Sequence, residues 1–172
     1  MFREAWSIYN ASFSDLERRS LFEHLSAMRH PHYRFSAIQA GGTVVGVLGI
    51  WTLDGFSFIE HLAVAPEHRS AGYGHRALQT LQRHVRGPIM LDVEPFGTDK
   101  NAARRIAFYQ RLGFHYCGYP VVLPPYAGKA SAPSNLMSWP MALDGESREW
   151  VVETIEREIY GIHPFVPRRR VG

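Results

Sequence analysis

The sequence contains one cysteine, Cys117, among its 172 residues, and this scarcity excludes two kinds of structure. One thiol cannot close an intrachain disulfide, and it cannot supply the several cysteine ligands of a structural zinc site. Both absences are typical of a reducing compartment. We therefore expect a cytoplasmic protein in which Cys117 is a small buried hydrophobic residue.

A long hydrophobic run is also missing. The longest apolar stretch, from Val44 to Trp51, contains two glycines and is far shorter than the ~20 residues that cross a bilayer. The opening MFREAW has an acid and an arginine where a secretory signal has a basic start and an apolar core. We expect neither a membrane span nor secretion.

Charge of one sign is only slightly in excess, with a formal net charge of +3. Part of it lies in PRRRVG, residues 167–172, which we interpret as a flexible basic tail. We expect no nucleic-acid partner. Although there are nine histidines, neither an HExxH motif nor a Cys/His pattern occurs, so we expect no metal site.

The composition fits one domain over residues 1–172, with 45% hydrophobic and 20% charged residues. Hydrophobic periodicity predicts helices over about 2–13, 15–28, 73–85, 101–112 and 144–160, the second with Leu16, Leu21, Phe22 and Leu25 as its apolar side. Strands are predicted at 33–40, 43–53, 56–65, 88–94, 114–123 and 136–143. This order predicts a mixed α/β sheet, with an antiparallel N-terminal meander, flanked by helices.

The segment RSAGYG, from Arg69 to Gly74, joins a predicted strand to a predicted helix. Gly72 and Gly74 carry no side-chain bulk, so consecutive backbone N–H groups can converge on one anion where the helix dipole is positive. Such a loop is a candidate phosphate cradle. The alternative is that both glycines only allow tight packing.

Two other phosphate-binding motifs compete with this interpretation. The nucleotide-triphosphate loop GxxxxGK[ST] does not occur. The segment GYGHRA does fit the dinucleotide pattern GxGxxA, and Asp92 follows about twenty residues later. Against it, PEHRSA separates the strand from the first glycine, an antiparallel meander comes first, and the chain is short for two domains.

Several motifs together resemble the GCN5-related N-acetyltransferase (GNAT) superfamily: FIEHLAV, then RSAGYG as [QR]-x-x-G-x-[GA], then IAFYQRLGF about thirty-five residues further on. The resemblance covers nearly the whole chain in element order and implies a GNAT-like fold. It also implies acetyl-CoA as the acyl donor and a primary amine of a small molecule or peptide as the acceptor. A homodimer is left open.

The resemblance implies a donor site along the strand, the glycine loop and a later helix. Backbone groups of Leu62, Ala63 and Val64 would face the pantetheine arm. The amides from Arg69 to Gly74, with His75, would hold the pyrophosphate. The implied donor-binding residues are therefore Leu62, Ala63, Val64, Arg69, Ser70, Ala71, Gly72, Tyr73, Gly74, His75 and Asn101. Asn101 stands eight residues before Tyr109, one more than is usual in the family, so it is alternatively a helix cap.

Three residues are candidates for the chemistry. Because residues two apart share a strand face, Glu60 is expected on the side of Leu62 and Val64 and is our candidate general base. The alternative is that Glu60 binds an arginine or the amine without taking its proton. Val64 N–H is the candidate oxyanion donor, and Tyr109 the candidate proton donor to the leaving thiolate rather than only a core aromatic residue.

Acids and aromatic residues near the presumed acceptor side remain open to two interpretations. Asp92 and Glu94 would favour a positively charged amine, or they form a solvated strand face. Trp51, Tyr119 and Tyr126 would wall a substrate pocket, or they are packing residues. Two other functions compete: a non-catalytic acyl-CoA-binding sensor, and a dinucleotide-binding oxidoreductase.

Overall fold

The computed structural model describes residues 1–98, 100–124, 126, 129–130 and 133–161, without the side chains of Lys100 and Tyr119. The helices are α1 (Phe2–Ser12), α2 (Leu21–Ala27), α3 (Tyr73–His84), α4 (Lys100–Gln110) and α5 (Gly145–Tyr160). The strands are β1 (Tyr33–Ala40), β2 (Thr43–Thr52), β3 (Ser57–Val64), β4 (Ile89–Val93), β5 (His115–Val122) and β6 (Pro133–Trp139). The predicted tail 167–172 and the Tyr119 side chain lie outside this description.

One six-stranded sheet runs in the order β1-β2-β3-β4-β6-β5. All neighbouring strands are antiparallel except β3 and β4, which pair in parallel through the crossover that contains α3. The predicted mixed sheet with an N-terminal meander is therefore confirmed. No helix in the described ranges is long and apolar enough to span a bilayer.

Helices cover both faces of the sheet. On one face, α3 and α4 pack on Ile59, Leu91 and their neighbours. On the other face, α5 packs on Phe58 and Met90, and α1 packs on β2 through Tyr9. The residues of β4 alternate between these two cores, as a strand covered on both sides requires.

The sheet opens between β3 and β4. These strands pair at three positions only, from Ser57↔Ile89 to Ile59↔Leu91. Beyond that point β3 continues its ladder with β2 and β4 continues with β6. The rest of each strand therefore presents unpaired edge to a common cleft.

A β-bulge lies at Glu60. Gly49 pairs with His61 and the next residue, Ile50, pairs with Ile59, so Glu60 has no partner opposite it on β2. Leu62 packs on the α3/α4 core, whereas Glu60 contacts Trp51, which belongs to the α5 core. The expectation that Glu60 shares a face with Leu62 and Val64 is wrong, because a bulge shifts the alternation by one residue.

The second predicted helix is shorter than expected. It begins at Leu21, where Ser20 and Glu23 form a capping box, and residues 13–20 form a turn-rich linker. Its expected apolar side is exposed: Leu16, Leu21, Phe22 and Leu25 are 52%, 46%, 81% and 43% accessible. The residue of α2 that is buried is His24, which packs among aromatic rings of α1 and β1.

Candidate active site

The cleft between β3 and β4 opens into a cavity of about 880 Å³. It passes from the start of α3 and the face of α4, through the parted strands, to Tyr126 and the end of α5. Most of the residues predicted to bind donor or acceptor line it. The sheet thus carries one continuous site with a mouth on each face.

The loop predicted to cradle a phosphate lies at the α3 mouth. Ser70 (φ +64°) and Gly72 (φ +78°) both adopt the left-handed conformation, and Gly72 caps α3. No acceptor for the amides from Ser70 to His75 occurs among the residues described. Alternating left-handed residues before a helix form an anion-binding concavity, and six free amides fit that role.

Arg69 does not belong to this set of amides, so that part of the expectation is wrong. Its N–H donates to Pro66 O at 3.3 Å, which closes the short 3-10 turn before the cradle. Its side chain folds back, with Nε donating to Val64 O at 3.1 Å. Arg69 therefore fastens the cradle to the end of β3.

The exposed edge of β3 offers two residues rather than three. Ala65 N–H donates to Val45 O at 2.9 Å, and in an antiparallel ladder alternate residues face the same neighbour. Ala63 therefore points its backbone groups at β2 and not into the cleft, which corrects its expected role. Leu62 and Val64 point theirs into the cleft, and Val64 N–H is available as an oxyanion donor.

Two residues of α4 line the cavity from the opposite side. Tyr109 is 7% exposed, and burial raises the pKa of its phenol, which therefore stays protonated at neutral pH. Asn101 is exposed and lies in the first turn of α4, one residue after the helix begins, so it is not the cap. Both predicted positions face the cleft.

Glu60 is fully engaged with the protein. Its carboxylate pairs with the Arg19 guanidinium and accepts hydrogen bonds from Trp51 Nε1 and Tyr126 OH, each at 3.0 Å. Burial opposes ionisation, but the charge of Arg19 and the nearby His61 Nδ1, 3.5 Å away, hold the pKa of Glu60 well below its usual range. A carboxylate so stabilised is a poor base, which favours the alternative that Glu60 binds an arginine.

Arg19 is a residue that sequence reasoning missed. It follows α1 in the linker, its side chain is 7% exposed, and its guanidinium carbon lies 4.7, 5.7 and 5.8 Å from the rings of Tyr126, Tyr33 and Trp51. These rings and Glu60 form a cation site that the chain fills itself. No local pattern marks Arg19, because it meets Glu60 across 41 residues.

Asp92 is placed very differently. It follows the last β3–β4 pair, shares the α5 face with Met90 and lines the cavity. No cationic side chain in the described part of the chain lies within ion-pair distance of it. Burial raises the pKa of Asp92 to about 6, while the neighbouring Ser134 hydroxyl opposes the rise. Asp92 is thus partly buried in the wall of the cavity.

The remaining candidates divide between the two walls. Glu94 is 36% exposed and pairs with Arg105 at the α4 side. Tyr126 reaches the cavity, and Trp51 lies behind it, donating a hydrogen bond to Glu60.

His61 is buried and its Nε2 lies 3.0 Å from Glu17 O and 3.3 Å from Tyr9 OH. No group of three potential metal ligands occurs within the described ranges.

Comparison with known proteins identifies relatives of this structure. The model of the acetyltransferase (GNAT) family matches residues 1–114. A GNAT-family acetyltransferase from Bacteroides thetaiotaomicron is 32% identical, with a TM-score of 0.84, over 94% of this chain and 93% of that one. The sequences of curated proteins gave no match.

More distant structures share the fold. The ribosomal-protein-S18-alanine N-acetyltransferase from Escherichia coli is 18% identical, with a TM-score of 0.57, over 84% of this chain and 90% of that one. A GNAT-family acetyltransferase from Elizabethkingia anophelis, solved with acetyl-CoA bound, is 15% identical, with a TM-score of 0.50, over 72% of this chain and 84% of that one. At this identity the likeness concerns architecture alone.

Proposed function

This chain belongs to the acetyltransferase (GNAT) family, and from that premise we propose that it transfers an acetyl group from acetyl-CoA directly to a primary amine. The observation that carries the proposal is the cleft between β3 and β4, which joins six free amides to the partly buried carboxylate of Asp92 through the sheet. The lone Cys117 thiol suits a reducing compartment, and we place the reaction in the cytoplasm.

The donor lies along the α3 side of the cleft in this proposal. The amides from Ser70 to His75 bind its pyrophosphate, aided by the positive end of the α3 dipole. Leu62 and Val64 bind the amide-bearing arm by adding it to the open edge of β3. Charge-assisted bonds of about 1.5–3 kcal/mol each are ample for micromolar affinity from the cradle.

We assign proton acceptance to Asp92 rather than Glu60. Asp92 has a partly buried carboxylate without a cationic partner among the described residues, and a pKa of about 6 is close to the value that suits a base at neutral pH. Glu60 has no such freedom, because Arg19, Trp51 and Tyr126 already donate to it. Glu60 instead holds Tyr126 at the acceptor mouth.

The transfer follows from these positions. Acetyl-CoA supplies a thioester carbonyl as electrophile. Asp92 takes one proton from the acceptor ammonium, and the free nitrogen forms a C–N bond at the carbonyl carbon while Val64 N–H stabilises the oxyanion. The C–S bond then breaks, and Tyr109 OH donates its proton to the leaving sulfur. The phenol recovers a proton from the nitrogen, directly or through water.

A ligand-binding comparison and a release assay test the proposal together. Acetyl-CoA and CoA should raise the melting temperature of the protein, NADH should not, and amines should release free CoA thiol from acetyl-CoA. Stabilisation by acetyl-CoA without thiol release would indicate the sensor. Stabilisation by NADH alone would indicate the oxidoreductase and overturn the proposal.

The role of Tyr109 has a direct test with a matched control. Tyr109→Phe should lower kcat about tenfold or more with little change in acetyl-CoA affinity, since only proton donation is lost. Tyr116→Phe deletes a hydroxyl that accepts from Phe96 N–H at 3.2 Å outside the cleft, and it should leave kcat near that of the wild type. Equal kcat for wild type and Tyr109→Phe would remove Tyr109 from the mechanism.

A further inference from the structure

The acceptor mouth has its own set of side chains on the α1/α5 face of the sheet. We call this set the acceptor wall; it consists of Phe13, Leu16, Asp92, Leu123, Tyr126 and Tyr160. Tyr126 and Tyr160 lie with ring centroids 6.1 Å apart. Five of the six side chains are aromatic or aliphatic, so the wall is an apolar surface around one carboxylate.

The other acids of the cavity are already compensated or exposed. Glu60 is paired with Arg19, and both side chains are nearly inaccessible, at 3% and 7%. Glu94 is paired with Arg105 on the α4 side. Glu17 is exposed and closes its own turn by accepting from Ser14 N–H at 2.9 Å. Asp92 is therefore the one partly buried acid of the cavity, as far as the structure describes it, that forms no ion pair with a side chain.

Lys129 flanks this apolar surface, beside the Arg19–Glu60 ion pair. The guanidinium of Arg19 lies 4.7 Å from the Tyr126 ring centroid, and Lys129 Nζ lies 5.7 Å from it. A second ammonium on the acceptor would face Lys129, and Glu60 could not pair with it because Arg19 already does. A buried unpaired charge is strongly unfavourable, whereas an aromatic body would gain contact with the rings.

We propose that the acceptor is a monoamine, in which one primary ammonium binds at Asp92 and an apolar or aromatic body lies on Phe13, Tyr126 and Tyr160. The inference rests on the proposed function and specifies its substrate class. Polycationic acceptors and small hydrophilic amines are disfavoured by the same wall, the first by charge and the second by lack of buried contact.

Matched amines separate these contributions. 2-Phenylethylamine is compared with 1,4-bis(aminomethyl)benzene, which has a similar ring and a second ammonium, and with ethylamine, which lacks the ring. We expect kcat/KM for 2-phenylethylamine to exceed that for either reference amine by about tenfold to hundredfold. Ethylamine loses the burial of the ring, and the diamine places one unpaired charge on the wall. Thiol release from acetyl-CoA is the measurement.

A charge introduced on the wall should reverse part of this preference. Leu16 lies at the rim and is 52% exposed, so it can be replaced without opening the core. Leu16→Glu should raise the ratio of diamine to monoamine kcat/KM by about threefold to tenfold, because it supplies a second carboxylate. Leu16→Gln is the matched neutral control and should leave that ratio unchanged.

The outcomes distinguish the inference from its premise. If the diamine or ethylamine equals 2-phenylethylamine, the monoamine inference is overturned, while any amine-dependent thiol release still supports the transferase. If acetyl-CoA binds and no amine releases thiol, the transferase itself fails and the inference fails with it. If Leu16→Glu and Leu16→Gln give the same ratio, charge is not the selecting feature.

Discussion

At the scale of single residues, two carboxylates of one cleft differ because of their neighbours. Glu60 is stabilised as an anion by a guanidinium, an indole and a phenol. Asp92 is partly buried with the Ser134 hydroxyl beside it and no cationic partner among the described residues, and its pKa is raised. Because desolvation and an opposite charge shift a pKa in opposite directions, one acid is fixed as a structural anion and the other can exchange a proton near neutral pH.

Replacing Asp92 tests that assignment through rate and pH dependence. The kcat/KM of the wild type should rise with pH through about 6 as Asp92 ionises, with Glu60, His61 and Ser134 as its neighbours. Asp92→Asn should lower kcat by about a hundredfold or more and remove that rise. Glu94→Gln on the same strand is the control. A rise through pH 6 that persists in Asp92→Asn would contradict the assignment.

The same pKa shift predicts an effect on stability with a definite sign. Folding raises the pKa of Asp92 from 3.8 to about 6, so between these values the folded state binds more protons than the unfolded state. Stability therefore falls as pH rises through this window, and Asp92→Asn, which carries no charge, should be more stable than wild type at pH 7 by about 1–3 kcal/mol. Urea unfolding at pH 4 and pH 7 measures the unfolding free energies of the two proteins. The difference between Asp92→Asn and wild type should vanish near pH 4.

The buried ion pair predicts strong coupling between its members. Arg19→Met leaves Glu60 charged and buried, so unfolding free energy should fall by about 3–5 kcal/mol. Adding Glu60→Gln to Arg19→Met should restore part of the loss, because the uncompensated charge is removed. Urea unfolding of the two single variants and the double variant measures the coupling. Additive effects would show that Arg19 and Glu60 do not act as a pair.

At the scale of elements, local backbone geometry builds both halves of the site. The bulge in β3 turns Glu60 away from the donor edge, and the left-handed residues Ser70 and Gly72 turn the chain into α3 with its amides exposed. The two loop glycines have different roles. Gly72 needs its positive φ, whereas Gly74 lies within α3.

Alanine at these two positions should therefore have different effects. Gly72→Ala should lower the unfolding free energy by about 1–2 kcal/mol, because a residue with a Cβ is strained in the left-handed region. At Gly74 a Cβ would make ordinary contacts, 3.5 Å from Phe108 and 3.6 Å from Val64, and alanine should be neutral or stabilising by up to about 1 kcal/mol. Thermal or urea unfolding measures the stability of both variants. Equal losses of unfolding free energy would contradict the distinction between the two glycines.

At the scale of the whole molecule, the sheet has a gap, between the ends of β3 and β4, and its strands stay paired on both sides of that gap. β2 and β6 hold the outer edges of β3 and β4, so the two strands can part without either losing its other neighbour. Cores on both faces support the parted strands. A rigid sheet with a gap can hold a linear donor through its plane and still present its end to a second substrate on the opposite face.

Hydrogen exchange tests that arrangement across the sheet. Ala65 N–H is bonded to Val45 O and should exchange slowly in the free protein, whereas the amides of Leu62 and Val64 should exchange faster. Acetyl-CoA should slow the hydrogen exchange of the Leu62 and Val64 amides selectively, and NADH should not. NMR measures the exchange rates. Protection of Ala63 in place of its neighbours would contradict the register inferred for the edge.

The sequence alone determined the features that depend on near neighbours along the chain. The strands β1, β2 and β3 lie within two residues of their predicted bounds, because Gly41–Gly42 and Asp54–Gly55 mark the turns between them. The cradle before α3 and the position of Tyr109 also follow from short motifs. The start of α2 was predicted too early, because Leu16 was read as part of the same apolar side as Leu21, Phe22 and Leu25, although the capping box at Ser20 begins the helix.

Only the tertiary structure decided which of the two acids is ion-paired and what surrounds the other. The face of Glu60 depends on a bulge in its pairing with β2, and its charge is balanced by Arg19 from the linker after α1. Asp92 lacks such a partner although its sequence context resembles that of any strand acid. Proton affinity is set by burial and by charges through space, and neither is written in the order of residues along the chain.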